Sequence, residues 1–74
     1  MEVTVRFFGP AAEAAGRPSL SVQLPDSSTV ADAIAAARID SRGARFAVGT
    51  EYVDASRTLR PGDVVSLIPP VGGG

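Results

Sequence analysis

The sequence contains no cysteine and no histidine. Without a thiol it can form no disulfide and offers no thiolate to a substrate or a metal; without an imidazole it lacks the usual general base and the commonest metal ligand. Lysine is missing too, since all seven positive charges are arginines, so no side-chain amine exists through which the chain could be conjugated to itself. Arginine in place of lysine reads as genome composition rather than as a functional adaptation. The eight carboxylates, from Glu2 to Asp63, are scattered singly and form nothing like the dense acidic loop of a calcium site. A net charge of -1 leaves no single-sign field of the kind that draws a protein to phosphate backbones, and Arg38, Arg42 and Arg45 read as a solvated cluster, so nucleic acid is not an expected partner. No apolar run approaches membrane-spanning length, and Met1-Glu2 leads straight into a strand pattern rather than a basic segment with an apolar stretch behind it. The expectation is a cytoplasmic protein with no membrane partner. Its 74 residues make one domain. A chain of that size buries only about 60% of the surface its unfolded form exposes, which leaves little core in which to carve a deep pocket. An enzyme acting alone is not expected.

What is present is a set of short, clearly patterned segments. From Glu2 to Phe8 apolar and polar residues alternate, with Val3, Val5 and Phe7 on one side and Phe8 falling on the polar side. Gly9-Pro10 breaks this strand, and "AAEAAG" reads as a short helical turn closed by Gly16. Leu20, Val22 and Leu24 alternate with Ser19, Ser21 and Gln23 in a second strand that stops at Pro25. In "PDSSTVADAIAAAR", Thr29 is a candidate N-cap with Asp32 three residues on, and Val30, Ala33, Ile34 and Ala37 recur at helical spacing as far as Arg38. Ile39 to Ala44 reads as loop, Arg45 to Val48 and Tyr52 to Val53 as two short strands, and "RPGD" at Arg60 to Asp63 as a turn launching a last strand from Val64 to Ile68. The expected core is Val3, Val5, Phe7, Leu20, Val22, Val30, Ile34, Phe46, Leu59, Val65 and Leu67. One helix can bury its apolar stripe only across one face of a sheet, so the fold class is α+β. A mixed sheet of about five strands, with the last strand entering beside the first in parallel, gives a β-grasp roll.

The segments "VRFFGPAAEAAG" from Val5, "PDSSTVADAI" from Pro25 and "LRPGDVVSLIPPVGGG" from Leu59 resemble the ubiquitin-like sulfur carriers of the MoaD/ThiS type, and within them the small subunit of molybdopterin synthase. The resemblance spans the whole chain. It implies a domain over residues 1–69 and an extended glycine-rich tail over 70–74. It implies that a partner enzyme uses ATP to adenylate the carboxylate of Gly74, that the adenylate becomes a thiocarboxylate, and that its sulfur passes to a pterin precursor in molybdenum cofactor biosynthesis. No cofactor is expected on the chain itself. The implied partners are the molybdopterin synthase large subunit, an E1-like adenylating enzyme and a sulfur-donating enzyme. Sulfur delivery to thiamin, tRNA or cysteine synthesis, and ubiquitin-like protein modification, are the alternatives.

Residue chemistry agrees with that implication. Pro69 and Pro70 lack an N–H and have a fixed φ, so they end strand pairing and project the chain in extended form. Val71, Gly72, Gly73 and Gly74 then reach on the order of 13 Å outward, at about 3.3 Å per residue. Glycines let backbone enter a channel too narrow for a Cβ. Phe8 and Ile68 are expected on the sheet face away from the helix, near the tail's root, where a clustered apolar pair suits partner binding.

Overall fold

Alternation in the first strand, β1 (Glu2–Phe7), predicts one buried side, and in the computed structural model, which describes residues 1–8, 16–39 and 43–69, Val3, Val5 and Phe7 are all buried. The remaining elements are β2 (Ser19–Gln23), α1 (Val30–Ala37), β3 (Arg45–Val48), β4 (Glu51–Val53) and β5 (Val64–Ile68). They form one five-stranded sheet in the order β2-β1-β5-β3-β4. β1 and β5 run parallel at its centre, from Thr4 beside Val64 to Phe7 beside Leu67, and every other pairing is antiparallel. The expected α+β β-grasp architecture is the observed one.

The helix is held chiefly from its N-terminal end. Thr29 and Asp32 form the anticipated capping box: the Thr29 N–H donates to Asp32 Oδ2 at 2.8 Å and the Asp32 N–H to Thr29 Oγ1 at 3.4 Å. Two further donors of the first turn, the N–H groups of Val30 and Ala31, reach the carbonyls of Arg57 and Ala55, both at 3.0 Å. The segment after β4 therefore plugs the positive end of α1, and no donor there is left to cradle an anion. Asp54 shapes that plug by accepting from both the N–H and the hydroxyl of Ser56. Those two hydrogen bonds hold its carboxyl below the usual 3.8, because they favour the charged form. At the other end Arg38 takes a left-handed conformation (φ 57°) and stops the helix.

The "RPGD" turn fixes the register of the parallel pair. The Arg60 N–H donates to Asp63 Oδ2 at 2.8 Å, the Asp63 N–H returns to the Arg60 carbonyl at 3.1 Å, and Gly62 sits at φ +84° where a Cβ would be strained. Two bonds then tie the turn to β1: Gly62 N–H to the Glu2 carbonyl at 2.9 Å, and Thr4 N–H to the Asp63 carbonyl at 3.0 Å. Parallel strands pair without a local hairpin, so a clamped turn at the entry decides which residue of β5 meets which residue of β1.

The core is one cluster beneath α1, with Val3, Val5, Val30 and Val65 fully buried and Leu59 and Leu67 close to it. Two expected members are only half-buried, Leu20 and Phe46. α1 is only eight residues long and makes its main contacts with β1 and β2, so Leu20 at the outer end of the edge strand β2 and Phe46 on β3 escape full cover. Leu24 and Ala33, on the apolar stripes of the second strand and the helix but outside the expected core list, are buried, and so is Ala47. β1 ends at Phe7, one residue short of the alternating run. Gly16 has the positive φ (73°) that a cap requires, while the helical turn before it, residues 11–15, lies outside the described residues.

Candidate functional site

The strands that bury Val65 and Leu67 beneath α1 must turn Ser66 and Ile68 to the opposite face, since successive side chains alternate. Pairing then assembles that outer face without further choice. Arg6 lies beside Ser66, Ala47 beside Ser66 on its other flank, Arg45 beside Ile68 and Tyr52 beside Ala47. Phe8 extends the polar-side row of β1 past its end.

The result is an open groove of about 380 Å³ whose lining includes Phe8, Ala47, Tyr52, Ser66, Ile68 and Pro69. Small residues make its floor, and Ala47 is only 6% exposed although it faces away from the core. Large residues make its walls: Phe8 is 39% exposed and Tyr52 64%. They are the two large apolar or aromatic side chains left most open among the described residues. Each wall carries an arginine, with the Arg6 guanidinium 5.4 Å from the Phe8 ring centre and that of Arg45 5.3 Å from the Tyr52 ring centre. Both distances are those of a cation resting over an aromatic face.

Two of the expected binding residues, Phe8 and Ile68, are thus brought together on one exposed face beside Pro69, where the tail departs. The other five, Pro70, Val71, Gly72, Gly73 and Gly74, lie outside the described residues, as does the tail segment 70–74 as a whole. Sequence reasoning missed Tyr52, Arg45 and Ala47. Their signal was present in the two-residue turn at Gly49-Thr50, whose glycine at φ +63° closes the β3–β4 hairpin and thereby sets Tyr52 opposite Ala47. Arg45 is exposed, as its reading as solvated implies, and its guanidinium also lies over the Tyr52 ring.

Other site chemistry is sparse. Among the described residues no group of three or more acidic side chains comes together as a metal site, and no helix is long and apolar enough to cross a membrane. The ion pair of Arg57 and Glu51, at 3.2 Å, is exposed and braces the segment that caps α1. Asp63 and Gly62 shape a turn and are not among the described residues lining this groove.

The fold recurs in solved structures. Small archaeal modifier protein SAMP1 from Haloferax volcanii superposes with a TM-score of 0.85 at 23% identity, over all of both chains. A protein described as molybdopterin converting factor subunit 1 from Pyrococcus furiosus gives 0.82 at 27% identity, over 96% of this chain and 99% of that one. A complex of subunits 1 and 2 of molybdopterin-converting factor from Helicobacter pylori gives 0.68 at 28% identity, again over the full length of both chains. No curated protein sequence matches the chain. The sequence profile of the ThiS family matches residues 5–74, nearly the whole chain. This protein accordingly belongs to the ThiS family, the ubiquitin-like sulfur carriers of the MoaD/ThiS type.

Proposed function

We propose that the chain is the sulfur-carrying small subunit of a molybdopterin synthase. In this reading a Gly74 carboxylate oxygen attacks the α-phosphate of ATP on an E1-like enzyme and expels pyrophosphate. Hydrosulfide supplied by a sulfur-donating enzyme then displaces AMP at the Gly74 carbonyl and leaves a thiocarboxylate, which gives its sulfur to a pterin precursor in the large subunit. The chain has no thiol and no imidazole, so its part is to present an unhindered glycyl carbonyl to catalysts that belong to its partners. It is not catalytic alone.

The observation that carries the choice of pathway is the full-length likeness to a subunit 1 seen together with a subunit 2. The Phe8 and Ile68 face beside Pro69 is the surface on which such a large subunit would sit while the tail enters it. Binding of the purified chain to the large subunit from the same genome, by calorimetry, tests this directly. Phe8→Asp is expected to weaken that binding at least about tenfold, the size of a moderate hot spot, with the fold intact. Unchanged binding removes the face from the interface. Mass spectrometry after incubation with the adenylating and sulfur-donating enzymes should show one oxygen exchanged for sulfur at Gly74, and a residue added after Gly74 should abolish the exchange.

The likeness to small archaeal modifier proteins favours a second reading, in which Gly74 is joined to lysines of other proteins. A denaturing gel of host extract separates the two. A ladder of adducts supports the modifier, and a single low-mass band supports the carrier.

A further inference from the structure

Two arginines, Arg6 and Arg45, rest on the rings that wall the groove without lining it themselves, and the described lining contains no carboxylate, although the chain as a whole is slightly acidic. Arg6 and Arg45 are both exposed, and each lies over the ring of its own wall. Stacking limits the positions a guanidinium can take while leaving its edge to hydrogen-bond, so less freedom is lost when a carboxylate arrives. These arginines are therefore placed for a ligand that brings negative charge to both rims.

Their spacing restricts that ligand further. Arg6 is on β1 beside Ser66, and Arg45 is on β3, two residues along from Ala47, which is Ser66's other neighbour. Two strand spacings of about 4.8 Å and a two-residue offset of about 3.3 Å per residue put their Cα atoms roughly 12 Å apart. In an extended peptide, side chains at positions i and i+4 project to the same side at about 13 Å, and the side chain at i+2 projects between them. The midpoint of the Arg6 to Arg45 diagonal lies on β5 between Ser66 and Ile68, over the floor of the groove.

We infer that the groove takes an extended acidic segment of a partner protein, carrying Glu or Asp at positions i and i+4 for Arg6 and Arg45 and an apolar side chain at i+2 for the floor between Ser66 and Ile68. The inference deepens the docking reading of the same face given above and rests on it. Charge complementarity across the groove selects this occupant over a second copy of the chain, which must bring its own two arginines to the same place in a twofold pairing.

The test is a titration of the isotopically labelled full chain, followed by NMR, with the capped peptide Glu-Ser-Leu-Ser-Glu and separately with Lys-Ser-Leu-Ser-Lys. Shifts are expected at the Arg6 and Arg45 side-chain N–H groups together with the Ile68 methyls. The acidic peptide should bind about tenfold more tightly than the basic one, as two exposed charge-assisted pairs allow. Arg6→Gln and Arg45→Gln combined should remove the preference while the rest of the spectrum, read without peptide, stays in place. Equal binding of both peptides, absence of binding by either, or shifts confined to another face would each overturn the inference. Line broadening that depends on protein concentration without peptide would point to a second copy and overturn it too. The docking reading fails separately, if Phe8→Asp leaves large-subunit binding unchanged; a retained acidic preference in that case assigns the groove to a different acidic partner.

Discussion

The two faces of one sheet differ more than any two segments of the chain. Leu67 and Ile68 are adjacent apolar residues on β5, yet the first lies beneath α1 in the core and the second beside an open groove. On the inner face burial selects branched aliphatic and aromatic residues, three of them valines with no exposure, Val3, Val5 and Val65. On the outer face the same strands present Arg6, Ser66, Ala47, Arg45 and Tyr52, a mixture suited to contact with another molecule and unsuited to a core. Apolar character by itself therefore says little about role here; parity along the strand decides it.

The sharpest way to break the comparison is to truncate both neighbours. Leu67→Ala should cost about 2 to 5 kcal/mol in a denaturant titration, because it leaves a cavity at the centre of the sheet. Ile68→Asp should cost less than about 1 kcal/mol in the same measurement, as a substitution outside the core, and should appear instead as weaker binding to the large subunit. If Ile68→Asp unfolds the chain, the outer face is part of the core and the contrast collapses.

A smaller effect is expected from the helix that makes the inner face inner. Thr29→Ala removes the capping box and should lower stability by about 1 kcal/mol, measured as a shift in the denaturant midpoint. The groove lies on the opposite side of the sheet, so affinity for partners should be unchanged in conditions where the variant is fully folded. Gly62→Ala tests the link between the two faces, since this turn sets the β1–β5 register on which both depend. A Cβ there meets open space, but the φ of +84° is unfavourable for it, so a loss of roughly 1 kcal/mol is expected from strain alone.

The smallest effect concerns pH. The folded chain holds the Asp54 carboxyl below its ordinary 3.8, so its contribution to stability is fully present above that value and is lost as pH falls through the lowered one. Ser56→Ala, which deletes the side-chain donor, should flatten this part of the acid limb of a stability profile, with no change at neutral pH in groove chemistry. The group is exposed, and the difference should be correspondingly slight.

Much of this was legible in the residues. Alternation in β1 and β5 identified Val3, Val5, Phe7, Val65 and Leu67 as core and turned Phe8 and Ile68 outward, and the spacing of Thr29 and Asp32 gave the start of α1. These are local signals, written in periods of two and in caps that span three residues. Phe46 and Leu20 were overestimated as core because periodicity says which way a side chain faces and not how far the helix extends over it. Tyr52 and Arg45, both exposed, were not assigned to the site for a related reason: their place beside the groove follows from the strand order.

The sequence by itself determined the α+β class, the polarity of each strand's faces, the absence of thiol and imidazole side chains, and membership of a carrier family through motifs that span the chain. Only the tertiary structure decided that β3 flanks β5 on the side away from β1, and hence that Arg6 from one end of the chain and Arg45 from the middle stand on opposite rims of one groove. The physical reason is that strand pairing is non-local. Backbone hydrogen bonds join residues some sixty positions apart as readily as neighbours, and the register of that pairing is fixed by a clamped turn and a buried face rather than by any residue of the groove.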